Sequence, residues 1–364
     1  MKILICNFDS LKTPTGVPSF ARKLLYELSF INVLTIRNPF KTKLEEKETN
    51  LEAKTRYNEF FWIAPSKITI LNNSIRMSDL IHLNPFNFSE LLLIFLIKIH
   101  KKKCIATMHS NINFHFPSPV IILEICRLII VFHVILLLTD RIVFLTGAHY
   151  ENYRKFSIWK YLLEKKSTII PNAIESCRIL DHPKQAQERL SCIFVGRFEK
   201  RKGIYDFLTV AEQLQEEEIQ FLIVGFGCLQ HHKDSLNNVT IVGRVDNDDL
   251  FGYYDRCQIL FFPSYTEAFS ITILEAMARG LVLLISDIPG IREFVQEGRN
   301  GYLFPPGDIE QMKERLLYLK RHPEEIERIS LNNLTDVQQF TVERQAAKYL
   351  DVYRNVLSHD QDHF

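Results

Sequence analysis

A chain of 364 residues and 42.7 kDa has room for two domains of about 150 residues each and a tail. Its content of 46% hydrophobic and 24% charged residues is that of an ordinary globular protein and excludes a disordered or fibrous chain. With 44 basic side chains against 43 acidic ones the net charge is +1, which leaves no electrostatic case for a nucleic-acid binder.

The N-terminal run Met1–Phe8 lacks the length and cleavage site of a signal peptide, and Lys2–Phe8 reads as an opening strand. A loop with Pro14 and Gly16 follows, then a helix over Ser19–Leu28 and a strand near Val33–Ile36. Lys41–Lys54 is charged and without apolar period, as a surface loop or short helix would be. Strands are expected at Leu80–Leu83, Cys104–Met108, Arg141–Leu145 and Thr168–Ile170, with helices between them. Val120–Leu138 is almost wholly apolar but is interrupted by Glu124, Arg127 and His133, with the two opposite charges spaced i, i+3 on one helical face. It reads as a buried helix packed on a sheet. The alternative is a helix lying in a bilayer surface beside Leu91–His100 and the Lys101–Lys103 run.

Asn172–Arg189 is polar, carries Pro183 and lacks an apolar period, so the domain linker is expected there. A second alternating stretch then gives strand Ser191–Val195, helix Ile204–Gln215, strands Gln220–Val224 and Val239–Val242, helix Asp248–Arg256 and strand Gln258–Phe262. It ends with helix Ile271–Arg279, strand Val282–Ser286, a short helix from Ile291, strand Tyr302–Phe304 and helices Ile309–Lys320 and Val342–Leu357. This alternation predicts two Rossmann-like, doubly wound α/β domains facing across a cleft, with functional residues in the strand-to-helix loops. The expected bounds are 1–175 for the first domain, 176–341 for the second and 342–364 for a terminal helix. Seven scattered cysteines without a C-x-x-C pair argue against a disulfide framework or zinc site and for a reducing cytosol.

Pro263–Ala278 is the most informative segment, because it leaves an apolar strand and runs into a helix. The helix N-terminus suits a phosphate, while Glu267 and Glu275 flank it as acceptors for ribose and sugar hydroxyls. The same two residues also read as a helix cap and a solvated acid. In Val195–Gly203, Gly196 permits a tight strand exit, and Arg197 and Lys202 can clamp a diphosphate, although Lys200–Lys202 is equally a solvated charge run. Thr13–Pro18, with Gly16, allows backbone to approach a ligand or is an ordinary turn. His109, after an expected strand, can donate to a sugar hydroxyl or is structural. Gly225-Phe226-Gly227 is a weak dinucleotide pattern with Gln230 where a third glycine belongs. Asp246–Asp249 reads as helix capping in preference to a metal site, and His231-His232 lacks a third ligand.

Taken together these segments resemble the group 1 glycosyltransferases (glycosyltransferase family 4), which have the GT-B architecture. The resemblance rests on Thr15-Gly16-Val17, Thr107-Met108-His109, Ile170–Ala173, Val195-Gly196-Arg197 with Lys202-Gly203, Val224–Gly227, Ile241–Val245, Pro263-Ser264 through Glu267 and Glu275, Asn300–Leu303 and Pro306-Gly307-Asp308. It implies sugar transfer from a nucleotide diphosphate sugar to a glycan or lipid-linked acceptor, with retention and without metal or cofactor. By that resemblance Arg197 and Lys202 hold the diphosphate, Glu275 the ribose, and Glu267 the donor sugar with the backbone N–H groups of Phe269 and Ser270. Gly16 approaches the donor and His109 lies beside the sugar; the base rests near Gly225, Arg244 and Val245, and the terminal helix crosses back to the first domain. Departures are Ala268 and Ser270 where many relatives have glycine, Thr15 before Gly16 in place of two glycines, and Ala173 in place of a turn glycine. Surface polysaccharide synthesis at the inner face of the cytoplasmic membrane, with peripheral contact to anionic lipid, is the expected setting. A sugar-nucleotide epimerase on the same architecture and a silent sugar-nucleotide-binding assembly subunit are the alternatives.

Overall fold

Short apolar runs bounded by glycine, proline and polar turns become parallel strands here, because neither face of such a run can be left in water. The structure, a computed structural model, describes residues 1–7, 32–37, 72–84, 89–109, 119–185, 187–229 and 236–358. The expected helix Ser19–Leu28, the Lys41–Lys54 segment, Gly16 and His231-His232 lie outside the described residues.

The first unit comprises residues 1–145, 150–170 and 346–364. Its strands are β1 (Lys2–Asn7), β2 (Asn32–Arg37), β3 (Leu80–Leu83), β4 (Lys103–Thr107), β5 (Arg141–Phe144) and β6 (Ser167–Ile169), parallel in the order β2-β1-β3-β4-β5-β6. Its helices include α1 (residues 72–77), α2 (Ser89–Ile99), α3 (Pro119–Leu138), α4 (Gly147–Phe156) and α5 (Lys160–Lys166). Alternate strand residues face opposite ways. Leu4, Ile81, Ala106 and Phe144 meet Phe132, Ile135 and Leu136 of α3 on one side. Ile3, Leu80, Ile105 and Val143 meet Ala346, Tyr349 and Tyr353 of the terminal helix α12 (Val342–Ser358) on the other. The described half of α3 is therefore a core helix, and Lys166 Nζ caps it by donating to the carbonyls of Leu136 and Thr139 at 2.9 and 2.7 Å. Among the described residues no helix is long and apolar enough to cross a membrane.

One polar cluster locks α12 to the sheet. His82 on β3 is fully buried; its Nδ1 lies 2.8 Å from the Tyr353 hydroxyl and its Nε2 2.8 Å from Thr107 Oγ1, which in turn lies 3.0 Å from the Tyr349 hydroxyl. Burial lowers the His82 pKa from 6.5 to about 3. Below about pH 6.5 the unfolded chain takes up a proton that the folded unit refuses until about pH 3, so stability is whole above pH 6.5 and falls as the pH drops toward 3. Denaturant unfolding at about pH 5.5 should show the first unit weaker than at about pH 7.5 by roughly 1.4 kcal/mol, and His82→Gln should flatten that slope.

The second unit comprises residues 146–149 and 171–345. Its strands are β7 (Leu190–Arg197), β8 (Ile219–Phe226), β9 (Val239–Gly243), β10 (Ile259–Phe262), β11 (Val282–Ser286) and β12 (Gly301–Phe304), parallel in the order β12-β11-β10-β7-β8-β9. Counted along the unit this is the doubly wound order 3-2-1-4-5-6, whose direction reverses between β7 and β10. Its helices are α6 (Ile204–Gln213), α7 (Asn247–Asp255), α8 (Ile271–Ala278), α9 (Pro289–Arg292), α10 (Ile309–Arg321) and α11 (Pro323–Asp336).

Four points differ from the sequence reading. The chain passes between units after Ile170, and the expected linker holds a bridge of Ile174 to Thr341 and a 3-10 turn at Ser176–Arg178. Residues 146–149 join the second unit because the Glu293 carboxylate accepts from the N–H groups of Gly147, at 2.8 Å, and Ala148. Helix α11 is absent from the sequence reading; Pro323 sits at its start, where the missing N–H costs nothing. The short helix before β12 starts at Pro289, two residues before the expected Ile291, for the same reason.

Candidate active site

In an open parallel sheet, ligands bind outside the carboxyl ends of the strands where the strand order reverses. The second unit puts its most informative loops there. Strand β7 delivers Gly196-Arg197 and then a 3-10 turn, Lys200–Lys202; neighbouring β10 delivers the loop Pro263–Ser270. Two glycines make this possible. Gly203 adopts φ 72°, and a Cβ on it would lie 1.9 Å from the Pro263 carbonyl oxygen. Gly225 on β8 faces Gly196 so closely that a Cβ would lie 1.8 Å from the Gly196 carbonyl oxygen.

Across the reversal the two loops meet in one ion pair. Lys202 Nζ lies 2.5 Å from Glu267 Oε1, with the side chains only 17% and 8% exposed. The Ser264 hydroxyl donates to the same oxygen at 2.8 Å, and Lys202 also sits over the Phe262 ring at 5.6 Å. Glu267 is therefore neither a helix cap nor a solvated acid; the α8 N-cap is Ser270. Glu275 is not solvated freely either. Its Oε2 accepts from the fully buried Tyr254 hydroxyl at 3.1 Å, and burial with the Glu275 charge holds the Tyr254 phenol well above its ordinary pKa, so it stays a donor. Tyr265, hydrogen-bonded to Asp206, is pushed up to about 12 by burial and that carboxylate.

The structure places the remaining predicted residues less uniformly. Arg197 Nη1 pairs with Glu199 Oε1 at 2.7 Å, and Glu199 holds Arg201 through its other oxygen at 2.7 Å. Arg244 is exposed over the Phe226 ring at 5.3 Å and lines a surface depression with Val245, Tyr253 and Arg256. Phe269 packs on Phe294 at 4.8 Å between ring centres, and Ser270 is buried at the start of α8. Asp246 is the N-cap residue of α7, and Asp248 pairs with Arg178. Among the described residues, no group of three or more His, Cys, Asp or Glu side chains is arranged to hold a metal ion. In the first unit, His109 Nε2–H donates to Asn84 Oδ1 at 3.1 Å, just beyond β4 and β3.

Sequence reading missed the residues that hold the site together. Tyr254 looks like one more core aromatic until its hydroxyl is seen on Glu275. Gly290 looks like a turn glycine, yet a Cβ there would lie 2.0 Å from the Glu267 carbonyl oxygen. Glu199, just before the basic run, has no role in the sequence reading, yet it pairs with both Arg197 and Arg201.

Known proteins resemble this chain in sequence and in fold. Residues 179–334 match the family described as glycosyl transferases group 1. The chain is 26% identical to an uncharacterised glycosyltransferase of Methanocaldococcus jannaschii over 45% of this chain and 48% of that one, so it spans about half the length of that relative. It is 25% identical to an O-antigen chain mannosyltransferase C of Escherichia coli over 70% of this chain and 78% of that one. Its fold resembles that of Anabaena HepE, solved with UDP and glucose, at a TM-score of 0.71 and 15% identity over 98% of this chain and 100% of that one. Residues 179–334 are thus similar to the group 1 glycosyl transferases, and the two parallel-sheet α/β domains have the GT-B fold of these solved neighbours.

Proposed function

We propose that this protein is a retaining, metal-independent glycosyltransferase that moves a sugar from a nucleotide diphosphate sugar to a glycan or lipid-linked glycan, in the synthesis of a surface polysaccharide. The observation that carries the reading is the Lys202–Glu267 pair, formed across the reversal of strand order. A donor diphosphate arriving there offers Lys202 a second anion. The ammonium then turns to the phosphate, and Glu267 is freed to accept hydrogen bonds from sugar hydroxyls. Arg197, at the end of β7, adds a fork-shaped donor to the same diphosphate.

As the bond from the anomeric carbon to the diphosphate oxygen breaks, negative charge collects on the leaving group. Lys202, Arg197 and the N-terminus of α8 stabilise that charge. The acceptor oxygen bonds to the anomeric carbon on the face the diphosphate leaves, and the acceptor proton passes to the departing diphosphate. Glu275, held by Tyr254, takes the ribose hydroxyls, and the base lies toward Gly225, Arg244 and Val245. UDP in the HepE structure and the mannosyltransferase and rhamnosyltransferase names of relatives in Escherichia coli and Pseudomonas aeruginosa support a nucleotide-sugar donor and a polysaccharide product.

The test is release of nucleoside diphosphate from a panel of sugar nucleotides in the presence of EDTA and a lipid extract. Turnover should persist with EDTA and disappear in Arg197→Ala/Lys202→Ala. Turnover that survives both substitutions, or sugar isomerisation without transfer, contradicts the mechanism.

A further inference from the structure

We infer that Tyr265 and Asp206 form a brace that keeps Glu267 in place after Lys202 has turned to the diphosphate. The inference rests on the activity proposed above and deepens it: both are positioning residues that act through Glu267. The proposed reaction makes a demand that the resting ion pair does not meet. While Lys202 holds Glu267, opposite charges tie the loop after β7 to the loop after β10. When the diphosphate takes the ammonium, that tie opens just as Glu267 has to hold its place against the sugar hydroxyls. A misplacement of about 1 Å at such a step costs about a hundredfold in rate. A second link is needed, and it has to be one that an arriving anion does not recruit.

Tyr265 supplies that link. It stands two residues before Glu267, and Asp206 stands four residues after Lys202. The hydrogen bond from the Tyr265 hydroxyl to Asp206 therefore runs beside the ion pair, between the same two segments, and contains no cation for a phosphate to attract. The Tyr265 backbone N–H also donates to the Arg201 carbonyl at 2.9 Å. One bond alone leaves a loop free to pivot, whereas the backbone bond and the phenol together remove the pivot. Gly307, after β12, closes the phenol in: it adopts φ 81°, and a Cβ on it would come within 3.0 Å of the phenol oxygen. The first turn of α6 and the loops after β10 and β12 thus meet at one hydroxyl. Burial and the Asp206 carboxylate push its pKa up to about 12, so at neutral pH it stays a donor.

Asp206 carries the independent sign that this contact is more than packing. An acid in the first turn of α6 is favoured by the helix dipole and would serve there from the solvent. Here the residue is half-buried, and its Oδ2 is buried without a hydrogen-bond partner among the described residues. Burial raises its pKa, opposed by the Tyr265 hydrogen bond and the Lys200 charge. A carboxylate oxygen stranded in this way costs stability, so folding alone would favour the side chain turned outward. Holding the phenol is what the inward geometry gains.

The test reads the loop and the chemistry separately, on the full-length protein. Amide hydrogen exchange over residues 266–270 should stay slow in Lys202→Met, where the ion pair is gone and the brace intact. In Lys202→Met/Tyr265→Phe it should quicken about tenfold or more. Tyr265→Phe alone should lower kcat for nucleoside diphosphate release by about tenfold to a hundredfold. KM for the donor should stay near that of the parent, because Arg197, Lys202 and Glu275 still hold the nucleotide. Asp206→Ala should match that loss, and Asp206→Asn, which keeps a carbonyl oxygen for the phenol, should recover most of it. Asp206→Ala/Tyr265→Phe should be no worse than either single variant. Exchange that quickens fully in Lys202→Met, a Tyr265→Phe enzyme with the parent's kcat, or losses that multiply in the double variant overturns the brace. A parent that releases no nucleoside diphosphate from any sugar nucleotide defeats the proposed activity instead, and the exchange measurement still decides whether Tyr265 holds the loop.

Discussion

Replacing Lys202 by methionine is expected to lower kcat by about a thousandfold, the scale seen when one preorganised donor to a developing anion is removed. The same change should lower the melting temperature, because it takes the ammonium partner away from Glu267, whose side chain is only 8% exposed. The two losses separate in the double variant. Lys202→Met/Glu267→Gln removes the uncompensated charge and should regain most of the stability while activity stays lost. Thermal unfolding and steady-state kinetics on the three proteins check this. An active Lys202→Met enzyme would show that the ion pair is scaffolding alone.

Truncation before Val342 should unfold the first unit. It removes Ala346, Tyr349 and Tyr353 from the sheet face formed by Ile3, Ile5, Leu80, Ile105 and Val143, and leaves buried His82 and Thr107 without their phenol partners. Losing one large buried aromatic costs about 3–5 kcal/mol. Two of them together approach the whole stability of a typical domain, about 5–15 kcal/mol. Tyr353→Phe is the milder probe: it keeps the ring, removes one partner of His82 and should cost about 1–3 kcal/mol. Proteolysis of the first unit at pH 7 and the melting curve measure both. A truncated chain that melts like the parent contradicts the assignment of α12 to the first unit's core.

Strands were the most legible part of the chain. Parallel strands buried on both faces are written as unbroken apolar runs, so Ile259–Phe262 and Val282–Ser286 could be read directly. Helix α11 was hidden for the opposite reason. Its buried side includes Ser330 and Asn333, and Asn333 Nδ2 donates to the carbonyls of Leu281, at 2.7 Å, and Asn300, at 2.9 Å. A polar residue satisfied inside the fold looks, in one dimension, like a surface residue. The site shows the same divide. Glu267, Glu275, Arg197 and Lys202 stand out because charges follow apolar strands. That Lys202 chooses Glu267, that Arg197 chooses Glu199, and that Tyr254 reaches Glu275 depends on distances between segments 20 to 65 residues apart or on local rotamers, which spacing does not encode.

The most direct test of the account is equilibrium binding of UDP, GDP and ADP to the purified protein in EDTA, for the parent and for Glu275→Gln, followed by thermal shift. One nucleotide family should stabilise the parent by about 2.7 kcal/mol when present at a hundredfold excess over its dissociation constant. Glu275→Gln should need a markedly higher concentration to reach the same shift. Binding that requires a divalent ion, equal affinity in Glu275→Gln, or no binding by any of the three would contradict a metal-independent nucleotide-sugar site on the second unit.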